Sequence, residues 1–457
     1  MAAFVCGYNF QERVRAMFPL TSKTEQQVEA LFPPEQRDVV RELLVREVGN
    51  NLPAYSWDSA ELERLRLAAL KYSGGNIDAL HRAIALAKED WRNLLMAEGP
   101  KRPASAAKER IQSIDALRGL VMIVMALDHV RDFVSVDAQR FQPDNLARTT
   151  AALFFTRWIT HFCAPVFFFT AGMGAFYWLR RGRTKPQLSR FLWTRGLWLV
   201  LLELTVLRLA MNFRFEGPWL LTILWALGWS MVALGFLSRF PLRALAVVSV
   251  AVIALHNLAD KVDGGPIWDV LHRQALFPLG SLKVLVAYPL IPWIFVMAAG
   301  FCSAEIVRRR KATLQLGIVL TVAFIAVRWL NVYGDPQPWA IQKTAGWTLL
   351  SFLRCTKYPP SLDFLLMTLG PALLILAWFD GRRFARTNPL IVFGRVPMFY
   401  FLCHFYLAHG LAVVLKAQYG LSGVYLMWAL VVIAMYPVCL WYSRVKERSR
   451  AWWLSYL

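Results

Sequence analysis

The sequence predicts an all-α fold, a polytopic membrane protein with about ten transmembrane helices and a small helical cytoplasmic N-terminal domain. Three observations predict it. The 457 residues are 57% hydrophobic and 14% aromatic, and the mean hydropathy of +0.40 lies far above that of soluble domains. Apolar stretches of spanning length recur along most of the chain. The connections between them alternate between strongly basic and weakly basic.

Residues 1–110 form the first predicted domain. In GGNIDALHRAIALAKEDWRNLLMAEG, the residues Ile77, Leu80, Ile84, Ala87, Trp91 and Leu94 fall on one helical face, and Gly99 with Pro100 ends the run. The opening MAAFVCGYNFQERVRAMF lacks the apolar core and small-residue cleavage site of a signal peptide, so this end is expected to stay in the cytoplasm. The linker GPKRPASAAKER then carries four cations to the membrane domain, residues 111–457.

Ten stretches there approach the length that crosses a hydrocarbon core: 115–136, 152–178, 190–211, 218–237, 241–257, 284–305, 313–332, 361–379, 389–413 and 421–442. The connections RRGRTKPQLSR, SRFPLR, RRRK and DGRRFARTN, and the tail SRVKERSR, are basic. Those at 137–150, 212–217, 258–283, 333–360 and 414–420 carry fewer cations, which predicts both termini in the cytoplasm. The net charge of +21 is thus topological, and no nucleic-acid partner is expected. The long connections 258–283 and 333–360 are expected outside, as a lid or substrate platform. Cys6, Cys163, Cys302, Cys355, Cys403 and Cys439 are scattered with no CxxC pair, which excludes a disulfide framework and a cysteine zinc site.

The chemistry concentrates in the first span, SIDALRGLVMIVMALDHVRDF. Asp115, Arg118, Met122, Met125, His129 and Asp132 recur at intervals of three and four and share one helical stripe, whereas Asp128 lies about 100° around the helix. An ionisable group inside a span is costly and marks a functional candidate. Asp128, Arg131 and Asp132 also suit a helix end in contact with headgroups. In the second span Arg157 and His161 are four apart, and packing on the first helix would bring His161 near His129, two imidazoles able to pass a proton either way. His404 lies mid-span in the ninth stretch, with Arg395 before it and His409 nearer the outside. Glu203 is expected in a structural ion pair, with Arg208 or another helix, and Arg328 likewise. No Walker loop, Rossmann fingerprint, GxSxG elbow or HExxH is present, and no metal is expected.

The stretches RIQSIDALRGLVMIVMALDHVRDF, FFTRWITHFCAPVFFFTAG, ILWALGWSM, YPLIPWIFVMAAG, TKYPPSLDFLLMTLGPALL and NPLIVFGRVPMFYFLCH resemble a bacterial family of membrane proteins related to the heparan-α-glucosaminide N-acetyltransferase catalytic domain. The resemblance covers about residues 111–450. It implies a transmembrane acyltransferase that takes an acyl group from cytoplasmic acyl-CoA, acetyl-CoA above all, and passes it to a cell-envelope saccharide or glycolipid. A bacterial inner-membrane location follows from it, and a homo-oligomer is compatible with it. The similar acyltransferase-3 family has an arginine and then, after ten residues, a histidine in its first helix, a spacing that Arg118 and His129 repeat.

The resemblance implies a catalytic His129 and an Arg118 that holds CoA phosphates. Arg195 and Asp115 would assist, with the pantetheine arm along Met122 and Met125, while His161, His404 and Asp128 complete the candidate catalytic set. Two departures qualify this. In lysosomal members the position of His129 holds asparagine and the catalytic histidine lies in the first luminal loop, whereas DAQRFQPDNLARTT here has none. The position of His161 matches an aspartate, and His404 matches a histidine. A proton-coupled transporter or flippase is the alternative that intramembrane charge also supports, and a noncatalytic sensor is a third reading.

Overall fold

The computed structural model describes residues 19–50, 59–97, 111–280, 282–449 and 454, and the chain divides into two compact units, Met1–Arg110 and Ile111–Leu457. The opening stretch at 1–18 and the linker at 99–110 lie outside the described residues.

In the first unit, helices Ser22–Leu31, Pro34–Val45, Ser59–Ser73 and Ile77–Glu89 bury Val28, Val40, Leu44, Leu65 and Leu80 in one core. The periodic run expected to continue to Leu94 is broken at Asp90. That carboxylate accepts the Arg92 N–H at 2.9 Å and caps a separate short helix, Trp91–Met96. An acid able to cap competes with continuation of the helix, and the apolar face is kept because both pieces meet the same core.

The second unit is a multi-pass helical body. Six helices are long and apolar enough to cross a membrane: Ala151–Leu179, Leu242–Ala259, Arg310–Leu330, Leu362–Phe379, Pro397–Val414 and Leu421–Arg448. The other four predicted spans are helical but fall short of that description for two reasons. Ile223–Leu237 and Trp293–Val307 are apolar but short, whereas Gln112–Val134 and Lys185–Leu202 interrupt their apolar runs with charges.

Gln112–Val134 lies at the centre of this body and packs on Pro389–Arg395, Pro397–Val414, Leu421–Arg448 and Leu362–Phe379. The approach to Pro389–Arg395 is backbone to backbone: a Cβ on Gly119 would overlap the Leu390 carbonyl, and one on Gly394 the Asp115 carbonyl. Small residues at both crossing points bring the first helix against the element that leads into the His404 helix.

The all-α expectation misses a small sheet. β1 (Trp219–Leu221), β2 (Ala275–Leu279) and β3 (Leu282–Val286) are ordered β1-β3-β2. β1 runs parallel to β3 with Trp219 opposite Val284, and β2 runs antiparallel to it with Ala275 opposite Val286. Most of the connection 258–283 is thus tied to the segment before Ile223–Leu237.

Of the two expected ion pairs, one is replaced and one is present. Glu203 accepts the N–H groups of Thr222, Leu224 and Trp225 at 3.0–3.2 Å and the Thr222 hydroxyl at 2.6 Å, so it caps the Ile223–Leu237 helix instead of pairing with a cation. Orphan N–H groups at a helix start carry partial positive charge and satisfy a buried carboxylate without a counter-ion. Arg208, the expected partner, stacks over the Trp219 ring at 4.0 Å.

Arg328 is 2% exposed and keeps its expected ion pair, with Asp363 of the Leu362–Phe379 helix at 3.6 Å, while it also donates to the carbonyls of Gln337, Phe352 and Arg354 at 2.6–3.0 Å. It fastens the 333–360 connection, which contains the Ala345–Leu353 helix.

Candidate active site

The centre of the candidate site is a pair of imidazoles. His129 Nδ1 lies 2.8 Å from His404 Nε2, and His404 Nδ1 lies 2.8 Å from the Tyr400 carbonyl oxygen. A carbonyl only accepts, so neutral His404 carries its proton on Nδ1 and presents a lone pair at Nε2. His129 must then donate from Nδ1, which leaves the lone pair on its Nε2. The chain of donors fixes one tautomer for each ring. His404 is completely buried, whereas His129 is partly accessible, with Phe405 at 4.6 Å and Phe401 at 6.0 Å between ring centroids. Among the described residues His129 Nε2 makes no hydrogen bond, so the pair ends in a nitrogen oriented to take a proton.

Asp128, the preceding residue, belongs to a different environment. Its Oδ1 accepts from Arg131 at 2.6 Å, Arg157 at 2.9 Å and the Thr160 hydroxyl at 2.7 Å. Lys357 lies 3.8 Å from Oδ2. Arg131 also binds Asp132 at 2.6 Å. Three cations therefore face two carboxylates, and Arg131 is 1% exposed. This corrects the picture of a helix end snorkelling to headgroups: Arg131 points inward because two carboxylates of its own helix and the Arg157–Thr160 turn enclose it. Asp128 is taken up by this cluster and makes no hydrogen bond to either imidazole.

The turn is a break in the second span. The helix passes through a 3-10 segment, Ile159–Phe162, that sets Thr160 and Arg157 toward Asp128. His161 is carried elsewhere, buried against Phe364 with 5.2 Å between ring centroids, and its Nδ1 has no partner among the described residues. The imidazole that meets His129 is thus His404, because the Gly119–Leu390 approach docks the ninth stretch on the first helix.

The other candidates are placed as follows. Arg118 donates from Nε to the Thr170 hydroxyl at 3.0 Å and from Nη2 to the Thr170 carbonyl, joining the first and second spans. Asp115 is buried, and Arg195 lies over the Phe191 ring at 4.4 Å. Met122 and Met125 are 2% and 3% exposed and belong to the hydrophobic core. The stripe from Asp115 to Asp132 is therefore not an open track along its length. Its middle is packed, and only parts of its ends are accessible. His409 accepts no catalytic partner: it stacks between Phe133 and Phe213 at 4.5 and 4.3 Å, with Nδ1 on the Ala210 carbonyl.

Lys357 and Tyr358 are the site residues that sequence reasoning missed. They lie in TKYPPS, before the Leu362–Phe379 helix. The Tyr358 ring packs edge-on against Tyr288 at 5.2 Å. Burial acts to raise the Tyr358 phenol, but the Lys357 and Arg157 cations outweigh it and hold the phenol below its ordinary range. A lone lysine among aromatic and proline residues was the available signal.

Residues 110–337 match the family model described as heparan-alpha-glucosaminide N-acetyltransferase, catalytic. No curated relative matches the chain. The matched stretch includes Arg118, Asp128, His129, Arg157 and His161, while Lys357 and His404 lie beyond it.

Proposed function

Because residues 110–337 belong to the heparan-alpha-glucosaminide N-acetyltransferase catalytic family, a membrane acetyltransferase family, we propose that this chain transfers an acetyl group from cytoplasmic acetyl-CoA to an amino or hydroxyl group of a cell-envelope saccharide. On this reading it works in a bacterial inner membrane with both termini in the cytoplasm. The observation that carries the reading is the His129–His404 pair, a neutral base of fixed tautomer.

A thioester is already a reactive acyl donor, so the protein has only to align it with the acceptor and manage one proton. The acceptor nitrogen or oxygen attacks the thioester carbonyl as His129 Nε2 removes its proton. The C–S bond then breaks, and the imidazolium returns the proton to the departing CoA sulfur. His404 Nε2 receives the His129 Nδ1–H throughout, so the charge formed on His129 is shared with a second ring. The cluster at Asp128 holds one more cation than carboxylate. That surplus, one residue from the base, favours the oxyanion of the tetrahedral transition state. Arg118 and Arg195 take the CoA phosphates, a role suited to a guanidinium fork.

The test uses purified protein in proteoliposomes, acetyl-labelled CoA and amino-sugar or hydroxyl-bearing glycan acceptors. His129→Ala is expected to lower transfer by about 10²–10⁴-fold, the usual contribution of a general base. Undiminished transfer in that variant removes His129 from the mechanism, and uptake of a solute driven by a proton gradient, with no transfer, would favour a transporter.

A further inference from the structure

A second group of histidines lies outside this site. His256 follows the Leu242–Leu255 helix in a short 3-10 turn, Asp260 comes four residues later, and His272 follows the short Gly265–Leu271 helix. One ligating atom from each of the three lies within 4.8 Å of the others. His256 is 6% exposed and His272 1%.

Their hydrogen bonding is incomplete. His272 Nε2 meets Asp260 Oδ1 at 2.9 Å, but His272 Nδ1 and both ring nitrogens of His256 are buried with no hydrogen-bond partner among the described residues. A buried, unsatisfied polar atom costs about 1–3 kcal/mol, and neutral His256 presents a buried lone pair that no group among the described residues meets. A cation that takes imidazole lone pairs answers that need.

The surroundings suit a metal. Asn257 donates to Asp260 Oδ2 at 2.9 Å and accepts the Leu362 N–H at 2.9 Å, which holds the carboxylate with Oδ1 toward the histidines. Such an outer contact orients a ligating carboxylate. Both imidazoles also line an open, apolar recess of about 300 Å³ whose other walls include Val252, Leu255, Trp268 and Ile291. Two imidazoles and a carboxylate are a zinc-type donor set with one position left open. In a tetrahedral site of that kind, ligands stand about 3.4 Å apart, a contraction within reach of side-chain rotation from 4.8 Å.

We propose that His256, Asp260 and His272 bind a zinc-class divalent cation whose fourth position opens to the adjoining recess. Binding would displace the proton shared by His272 and Asp260, since ligands bind metals deprotonated. It would also fasten the segment 256–272 to the start of the Leu362–Phe379 helix through Asn257. The site does not depend on the acetyltransferase reading, and His129 and His404 take no part in it.

The experiment uses full-length, tag-free protein stripped with a chelator. Wild type is expected to take up one equivalent of Zn²⁺ by calorimetry, and Co²⁺ in its place should give the visible absorption of a low-symmetry site. His272→Gln and Asp260→Asn should each abolish the stoichiometric uptake, Asn257→Ala should weaken it about 10-fold, and His409→Ala should leave it intact. Failure of the wild-type protein to bind either ion overturns the proposal, as does uptake that persists unchanged in both ligand variants. The wild-type titration decides even where a variant folds poorly.

Discussion

Asp128 and His129 are consecutive residues on one helix, yet they belong to opposite kinds of environment. Asp128 gathers Arg131, Arg157, Lys357 and Thr160 around a single carboxylate. His129 meets another imidazole and aromatic rings, and among the described residues no carboxylate is hydrogen-bonded to either histidine. The 100° turn between successive helical residues makes this possible. The contrast explains a division of labour. A neutral imidazole partner accepts the His129 Nδ1–H, which fixes the tautomer and leaves the lone pair on the outer nitrogen. The ion cluster holds the first and second spans together beside it.

The contrast is broken most severely by Asp128→Asn. The amide keeps the shape but leaves Arg131, Arg157 and Lys357 without their shared anion, and loss of one partner of a buried pair costs about 3–5 kcal/mol. Thermal or denaturant unfolding in detergent should register that loss, and wild-type stability in the variant would show that the cluster does not bind the spans together. His404→Phe comes next. It preserves volume and removes the acceptor for His129 Nδ1–H, so transfer should fall by about 10²–10³-fold in kcat with little change in KM for the donor, as expected when a base loses its fixed tautomer. His404→Gln, whose side-chain oxygen can accept the same hydrogen, should recover part of it. Equal activity in all three proteins would dissolve the pair as a functional unit.

Lys357→Met addresses the surplus charge. With two arginines left against Asp128 and Asp132, the cluster is balanced and the fold should hold, whereas transfer should drop about 10²-fold, the scale of losing one group that stabilises an oxyanion. Unchanged kcat in a stable Lys357→Met protein would confine the lysine to structure.

How much of this was legible in the sequence depends on the range of each contact. The helices and the stripe through Asp115, Arg118, His129 and Asp132 follow from local periodicity, and the expected membrane character from composition. The partner of His129 did not follow. His404 is 275 residues away, and its approach depends on Gly119 and Gly394, residues that carry no chemical signal. Met122 and Met125 show the opposite error. Their place on the stripe was legible, but a stripe on a central helix meets protein on most sides, so the methionines became core. The sheet was missed because its strands have three to five residues and pair across the 258–283 connection, too short for alternation to stand out from a loop.

Glu203 sharpens the comparison from a third position. Like Asp128 it is an acid in a predicted span, here 1% exposed, but it is satisfied by the N–H groups that open the Ile223–Leu237 helix and not by cations. Glu203→Gln retains one acceptor oxygen and replaces the other with a donor that faces N–H groups. The expected cost is about 1–3 kcal/mol, that of leaving buried donors unpaired, smaller than the loss at Asp128 because no isolated charge remains. Transfer per folded molecule should be unchanged, since Glu203 touches neither imidazole. If Glu203→Gln destabilised the protein as much as Asp128→Asn, the cations around Asp128 would lose their special weight, and burial alone would account for both residues.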